Sequence, residues 1–258
     1  MIFDMNAFIG NWPYWPVPAV TPGQVAEELR AWDITTAAIC STRSIFVNWE
    51  DGNQEVLRAM AEHPEQYVGF ACLGTRELSH ALNRDPLNLD QYLRRGFAGI
   101  RLYPQHHSYH PLYCRFVSHI LEFAEAHDWP VLLPLRLIMN WGMPMLELPV
   151  ISQLIERHPR NIWILSGINY LHELQLAIML MRKFPTVHLE TSCIMGFAGI
   201  EKLVEELGPD RIVFGSGAPL QHGGAGVRKI CHAKISDAAR EAIFCSNAER
   251  ILRQPWTA

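Results

Sequence analysis

The chain has 258 residues, 49% of them hydrophobic, and a formal charge of −4. That length and apolar fraction suit one globular domain over residues 1–258 with a substantial core, and the absence of any basic run argues against a nucleic-acid partner. The longest apolar runs, such as 176–181, are too short to cross a membrane, and no basic segment precedes an apolar stretch after Met1, so no secretory signal is expected and a cytoplasmic location is.

In chain order, the first strand-like run is 2–6. A loop follows in which residues 11–18 pack three prolines and three aromatic rings together. Proline stiffens such a loop, and two readings of it stay open. Its rings, Trp12 among them, roof a pocket, or they pack on their own barrel or on a second subunit of a homo-oligomer. Thr21 and Pro22 then read as N-cap and first helical position of a helix over 22–33. The run 36–41, a helix over 53–63, the run 67–73, a helix over 89–95 and the run 97–103 come next. After a helix over 113–127, three more runs (130–135, 162–166, 187–191) alternate with helices over 148–158, 171–184 and 200–207. The run 211–216 and helices over 236–244 and 247–252 close the order. Several runs are continuously apolar, as strands buried on both faces are. Eight strand-then-helix units predict an α/β fold, a closed (β/α)₈ TIM barrel in one domain. An open doubly wound sheet is the alternative, but no Gly-x-Gly-x-x-Gly follows the first strand.

Chemistry in such a barrel gathers at the C-terminal ends of the strands. Polar side chains there are Asn6, Arg43, Arg101, Tyr103, His106, His107, Tyr109, His110, Arg136, Asn140, Ser166, Asn169, Glu190, Ser192, Ser216, Gln221 and His222. Six cysteines, at 40, 72, 114, 193, 231 and 245, match no zinc spacing and read as reduced, mostly buried thiols. Cys193, near the end of the seventh strand, has no local activating pattern and reads the same way.

Four segments carry a resemblance: Asp4 in the opening strand, Gly99-Ile100-Arg101-Leu102-Tyr103-Pro104, Phe214-Gly215-Ser216-Gly217-Ala218-Pro219, and Asn247-Ala248-Glu249-Arg250-Ile251-Leu252. In this order and at barrel spacing the chain resembles the amidohydrolase-related family of the amidohydrolase superfamily over essentially its whole length. The resemblance implies a metal-dependent hydrolase barrel. In such members a divalent ion is held by a first-strand His-x-His, by histidines ending strands five and six, and by an Asp in strand eight. Here Asn6, Phe8, Pro134, Ser166 and Gly217 stand at or near those places, and none is a strong ligand for zinc or manganese. The chain is thus similar to a metal-free branch opening with Asp-x-Asn and Gly-x-Trp-Pro (Asp4, Asn6, Gly10, Trp12, Pro13). That resemblance implies a fold and no substrate, and neither a metal nor another cofactor is expected.

In the resembling family the strand face carrying Gly99, Arg101 and Tyr103 looks into the barrel. A buried arginine needs an anion, and Arg136 ends the next strand. Two readings stay open: both guanidinium groups hold an anionic substrate bidentately, or they form an internal ion-pair network with Glu190 and Asp4. Glu190 is the candidate base, and His107 is a second proton carrier within the cluster of His106, His107 and His110. That cluster otherwise only covers the mouth, and it lacks an acidic neighbour with which to build a metal site. Asn6, Trp12, Arg43, Tyr103, His106, Arg136, Ser192 and Ser216 are expected to bind substrate, with Glu190, His107 and Arg101 catalytic. The expected function is metal-independent hydrolysis of a lactone or amide, or C–C cleavage, of a small carboxylated molecule. The alternative is a non-catalytic homologue serving as a binding or partner subunit.

Overall fold

A computed structural model describes residues 1–75, 87–138, 142 and 144–252. Eight strands run in sequence order around one sheet: β1 (Ile2–Ile9), β2 (Ile34–Ser41), β3 (Tyr67–Leu73), β4 (Gly99–Leu102), β5 (Val131–Pro134), β6 (Trp163–Ser166), β7 (Val187–Glu190) and β8 (Ile212–Val213). Every neighbouring pair is parallel. Backbone hydrogen bonds close the ring. Met5 N donates to Phe214 O at 2.8 Å, Gly217 N to Asn6 O at 2.9 Å, and Phe8 N to Ala218 O at 2.8 Å. The chain is therefore a single-domain TIM barrel, as the alternation predicts.

Among the described residues, the helices between the strands are α1 (Pro22–Arg30), α2 (Thr42–Phe46), α3 (Trp49–Glu62), α4 (Asp90–Arg94), α5 (Arg115–Ala126), α6 (Leu148–Arg157), α7 (Leu171–Lys183) and α8 (Gly199–Leu207), and α9 (Gly223–His232) follows β8. The Thr21 hydroxyl accepts from Gln24 N at 3.3 Å, so the start of α1 falls where Thr21 and Pro22 place it. Two helices, α2 and α9, escape the sequence pattern. α9 opens on glycines, which are poor helix formers. They serve packing instead: a Cβ on Gly224 would sit 2.3 Å from Trp32 Cε2.

The expected helix over 236–244 divides into α10 (Asp237–Glu241) and a π-helical turn (Ala242–Ser246) that runs into α11 (Asn247–Leu252). Such a wide turn redirects a carbonyl away from the helix ladder, and here Phe214 N donates to Ile243 O at 2.9 Å. Asn247 adds two bonds from its side-chain amide, to Pro209 O at 2.8 Å and Ile212 O at 2.7 Å. The closing segment thus fixes the place of the short strand β8.

A bulge in β1 sets up the site. Asp4 pairs with Ala37 but Ala7 with Ile39, so three steps on β1 match two on β2. Phe3, before the bulge, and Met5, at its start, enter the barrel-interior cluster with Phe70 and Leu132. After it Ala7 and Ile9 face the helices, and Phe8 joins the mouth cluster with Cys40, Cys72 and Tyr103. The bulge leaves Asn6 buried at the mouth, 1% exposed.

Candidate functional site

Asp4 and Asn6 leave β1 at the centre of a buried polar network. Asp4 Oδ1 accepts from Asn6 N at 2.9 Å and from Ser216 N at 3.0 Å, and its Oδ2 accepts from the Ser216 hydroxyl. The Ser216 oxygen in turn accepts from Ala218 N at 2.9 Å. Asn6 Nδ2 donates to Ser166 Oγ at 3.3 Å and Ser192 Oγ at 3.4 Å. Both hydroxyls donate to Glu190 Oε1, at 2.6 and 2.7 Å, while Ser192 N donates to Oε2 at 2.7 Å. Glu190 has this room because residue 215 is glycine: a Cβ there would lie 2.0 Å from Glu190 Oε2. The half-buried Lys229, from α9, donates to the carbonyls of Thr191 and Ser192 and holds the loop after β7 in place.

Burial pushes the Asp4 carboxyl up to about 6, against 3.8 for the ordinary side chain, despite the bonds from Ser216 and Asn6. Between those values the native state binds more protons than the unfolded chain. The Asp4 contribution to stability is therefore complete below pH 3.8 and is lost as pH rises through about 6. We expect Asp4→Asn, which has no proton to lose, to flatten this part of the pH profile by on the order of 3 kcal/mol. Urea denaturation of both proteins across that window checks it, and parallel profiles would contradict it.

Arg101 projects from β4 into the barrel and is wholly buried. Its guanidinium donates to Asn6 Oδ1 at 2.9 Å, Ala38 O at 2.7 Å and Met5 O at 3.4 Å. Its charge lies 5.1 Å from the Phe8 ring centroid and 5.8 Å from that of Phe70, contacts that offset part of the desolvation. Among the described residues no carboxylate forms an ion pair with it. Its Nε is buried without a hydrogen bond, as are the Tyr103 hydroxyl, Trp12 Nε1 and His106 Nε2. Arg101 and Cys40 lie close to the Tyr103 hydroxyl, but neither completes a hydrogen bond of good geometry with it. The rings connect these groups into one wall. Phe46 lies 5.4 Å from Trp12 and 5.3 Å from His106, and His106 lies 6.1 Å from Tyr103, centroid to centroid. Burial lowers the His106 imidazole to about 4, with a further push from His107, so it is neutral at pH 7.

Arg136 does not converge with Arg101. It is paired with Glu173 at the start of α7, a partner the sequence reading did not name. NH1 donates to Glu173 Oε2 at 2.8 Å and to Gly167 O at 2.9 Å, and NH2 donates to Oε1. Both side chains are nearly fully buried, and the Tyr170 ring lies 5.2 Å from the guanidinium. Glu173 Oε2 also accepts from Asn169 N at 2.9 Å and Tyr170 N at 3.0 Å. Burial pushes the Glu173 carboxyl up, but Arg136 and these two N–H groups bring it below its usual value. A side chain on Gly167 would collide with the Arg136 backbone, 2.2 Å from its oxygen, so glycine is required there. The expected partners Glu190 and Asp4 are instead held by serine hydroxyls and backbone N–H groups.

The remaining expected residues are dispersed. Arg43 is half-exposed and pairs with Asp51 at 3.2 Å and Glu55 at 3.8 Å, beside a groove of about 480 Å³ outside the barrel. His107 Nε2 meets Ser44 O at 2.9 Å, with its ring against Gly74. His110 is exposed and accepts from Leu112 N. Trp12 is buried among Tyr14 and Trp15 of its own loop and Phe46 of α2. Asn140 lies outside the described residues.

The resemblance to the amidohydrolase-related family implies a divalent ion, and the described side chains do not fit one. No three His, Cys, Asp or Glu groups converge among the described residues. Asp4 and Glu190 already accept O–H and N–H donors at the mouth, which turns their oxygens toward protons rather than toward a cation.

Comparison with known proteins bears on this barrel. The amidohydrolase family profile matches residues 50–254, so the chain belongs to the amidohydrolase family. Among solved structures it is similar to an uncharacterized TIM-barrel protein from Bordetella bronchiseptica, with TM-score 0.74, 16% identity and 98% of each chain covered. It is also similar to 2,6-dihydroxybenzoate decarboxylase from Rhizobium, with TM-score 0.69, 17% identity and 98% of each chain covered. A third likeness is to 5-carboxyvanillate decarboxylase from Sphingomonas paucimobilis, with TM-score 0.71, 15% identity and 98% of this chain against 99% of that one. At these identities the likeness is one of fold. No curated protein sequence matches the chain significantly. Among the described residues, no helix is long and apolar enough to cross a membrane.

Proposed function

We propose that this barrel is a metal-independent enzyme acting on a small carboxylated molecule, by hydrolysis of a lactone or amide or by C–C cleavage. One observation carries the reading: Arg101 is a wholly buried cation with no carboxylate partner among the described residues. Burying an unneutralised guanidinium costs several kcal/mol, on the order of 3–5 when a pair is broken, and a ligand carboxylate offsets that cost. Arg101 Nε and the Tyr103 hydroxyl are the donors for it, and Trp12 and His106 offer two further unmade bonds along the same wall. The structural neighbours named for carboxylated aromatics, 2,6-dihydroxybenzoate and 5-carboxyvanillate, support this class of ligand.

A carboxylate fixed on a guanidinium is stabilised as an anion. It serves as the anchor, and bond breaking falls at a neighbouring carbon. Glu190 takes the proton through the Ser166 and Ser192 hydroxyls, and Asn6 and Ser216 hold Arg101 and Asp4 in register with it. In this assignment the neutral His106, whose Nε2 is unpartnered, contacts the ligand, and His107 supports it from the Ser44 carbonyl. Arg136 and Arg43, each with a carboxylate partner, shape the site from outside it.

A second reading, a non-catalytic binding homologue, draws on the internal saturation of Asp4, Asn6, Glu190 and Ser216. Ligand binding precedes either role, so a thermal-shift screen tests the part they share. Small carboxylates should raise the melting temperature and their neutral amides should not, because a ligand of the native state stabilises by mass action. The shifts should be equal in chelator and in added zinc or manganese. A hit that requires the metal overturns metal independence. Carboxylate hits that are turned over separate the enzyme from the binding homologue.

A further inference from the structure

Residues 11–19 form a loop that is closed at its base. Gly10 N donates to Val20 O at 2.7 Å, and the Thr42 hydroxyl donates to Asn11 O at 2.8 Å. Surface loops whose ends meet in this way frequently carry function. Trp12 of this loop belongs to the mouth cluster with Phe8, Tyr103 and Leu220, and Trp15 and Val17 pack against that cluster. Trp12 is 6% exposed, yet its indole N–H has no acceptor among the described residues. A buried tryptophan ordinarily finds a partner for that group, which can only donate. Arg101 Nε, the Tyr103 hydroxyl and His106 Nε2 are left without a bond in the same wall.

These atoms define what a ligand brings. Arg101 is the cation for one carboxylate. A second carboxylate needs a second cation, and the others that reach the strand ends are committed. Arg43 pairs with Asp51 and Glu55, Arg136 with Glu173, and Lys229 donates to the Thr191 and Ser192 carbonyls. An ammonium or N–H on the ligand would face the Trp12 N–H donor to donor, and a purely apolar group would leave it unpaired. A neutral oxygen acceptor fits. The rest of the cluster, with Ile45, Leu137, Ile138 and Leu220, is apolar and suits an apolar skeleton.

We propose that Trp12 is a specificity-determining residue and that the loop over 11–19 roofs the ligand site, selecting monocarboxylates that carry a second, uncharged carbonyl on an apolar skeleton. The proposal rests on the reading of Arg101 as the carboxylate anchor. The Trp12 indole N–H donates to the carbonyl oxygen while Arg101 and Tyr103 hold the carboxylate. These donors are shut off from solvent, so the ligand enters when the loop lifts and is enclosed when it returns. A lactone, amide or ketone carbonyl meets the requirement. A dicarboxylate and a simple fatty acid do not.

Calorimetric titration of the full-length protein tests this with matched acids. The oxo acids are 4-oxopentanoate, 5-oxohexanoate and 6-oxoheptanoate. Their parents are pentanoate, hexanoate and heptanoate, and the diacids of the same lengths are glutarate, adipate and pimelate. One net hydrogen bond predicts that at least one oxo acid binds about fivefold more tightly than its parent. Each diacid should bind about tenfold or more weakly than its parent, because its second charge is buried unpaired. Trp12→Phe, which lacks the N–H, should bring the ratio of oxo acid to parent to about one. Replacing Trp12 with benzothienylalanine, which keeps the bicyclic shape and also lacks the N–H, should do the same and decides the matter if the smaller ring disturbs the loop. In isotope-labelled protein, the Trp12 indole proton resonance should move downfield with the oxo acid and not with its parent. Oxo acids no tighter than their parents at every length, diacids as tight as the parents, or a preference that survives loss of the N–H overturn the proposal. If the parent acids bind through Arg101, as shown by loss of binding in Arg101→Met, and no oxo acid is preferred, the Trp12 assignment fails and the anchor stands. If none of the acids binds, the anchor itself fails.

Discussion

Replacing Arg136 by methionine is expected to cost about 3–5 kcal/mol of stability, because it leaves a buried carboxylate without its cation. Glu173 then keeps only the N–H groups of Asn169 and Tyr170. Methionine preserves most of the stem packing, so the loss reports the missing charge. Adding Glu173→Gln should recover much of it, since the amide oxygen still accepts from those two N–H groups and no charge stays buried. Chemical denaturation of the two single mutants and the double mutant measures this directly. A double mutant as unstable as Arg136→Met would show that the ion pair is not what ties the end of β5 to α7.

Arg101→Met should behave in the opposite way. The mutation removes a buried charge that has no carboxylate partner, which relieves its desolvation cost. It also strips partners from Asn6 Oδ1 and from the Ala38 and Met5 carbonyls. These effects nearly cancel, and stability should stay within about 2 kcal/mol of wild type. Carboxylate binding, by contrast, should be lost. Calorimetric titration of both proteins with the same carboxylate, alongside denaturation, separates the two quantities. A loss of stability as large as that of Arg136→Met, with binding intact, would make Arg101 a structural residue.

The contrast between the two arginines marks how far the sequence is readable. Alternation along 99–103 correctly turns Arg101 inward, because a strand has period two and β4 is regular. The same logic assigns Arg136 the wrong company. Its partner Glu173 lies 37 residues on and looks, in sequence, like an ordinary acid in the first turn of a helix. The eight strand–helix units are legible because buried parallel strands are continuously apolar and the helices carry their own starts, as at Thr21 and Pro22. The β1 bulge is not legible. Met5 and Asn6 have no local signature, yet the extra residue decides that Phe8 rather than Ala7 faces the barrel interior. α9 is hidden for a related reason: its glycines weaken the helix signal while allowing the helix to approach Trp32. Asp4 reads as a family marker and an ion-pair candidate but not as a partner of Ser216, since that bond joins β1 to the segment after β8, 212 residues away. The wall of Trp12, Tyr103 and His106 is assembled through Phe46, on the short helix α2, which carries no pattern of its own.

The most direct test is a crystal structure of the protein with a carboxylate hit from the thermal-shift screen. The carboxylate should lie within hydrogen-bond distance of Arg101 Nε and the Tyr103 hydroxyl, with no metal ion between ligand and protein. A ligand seated away from Arg101, or a carboxylate bridged to the protein by a divalent ion, would contradict the account.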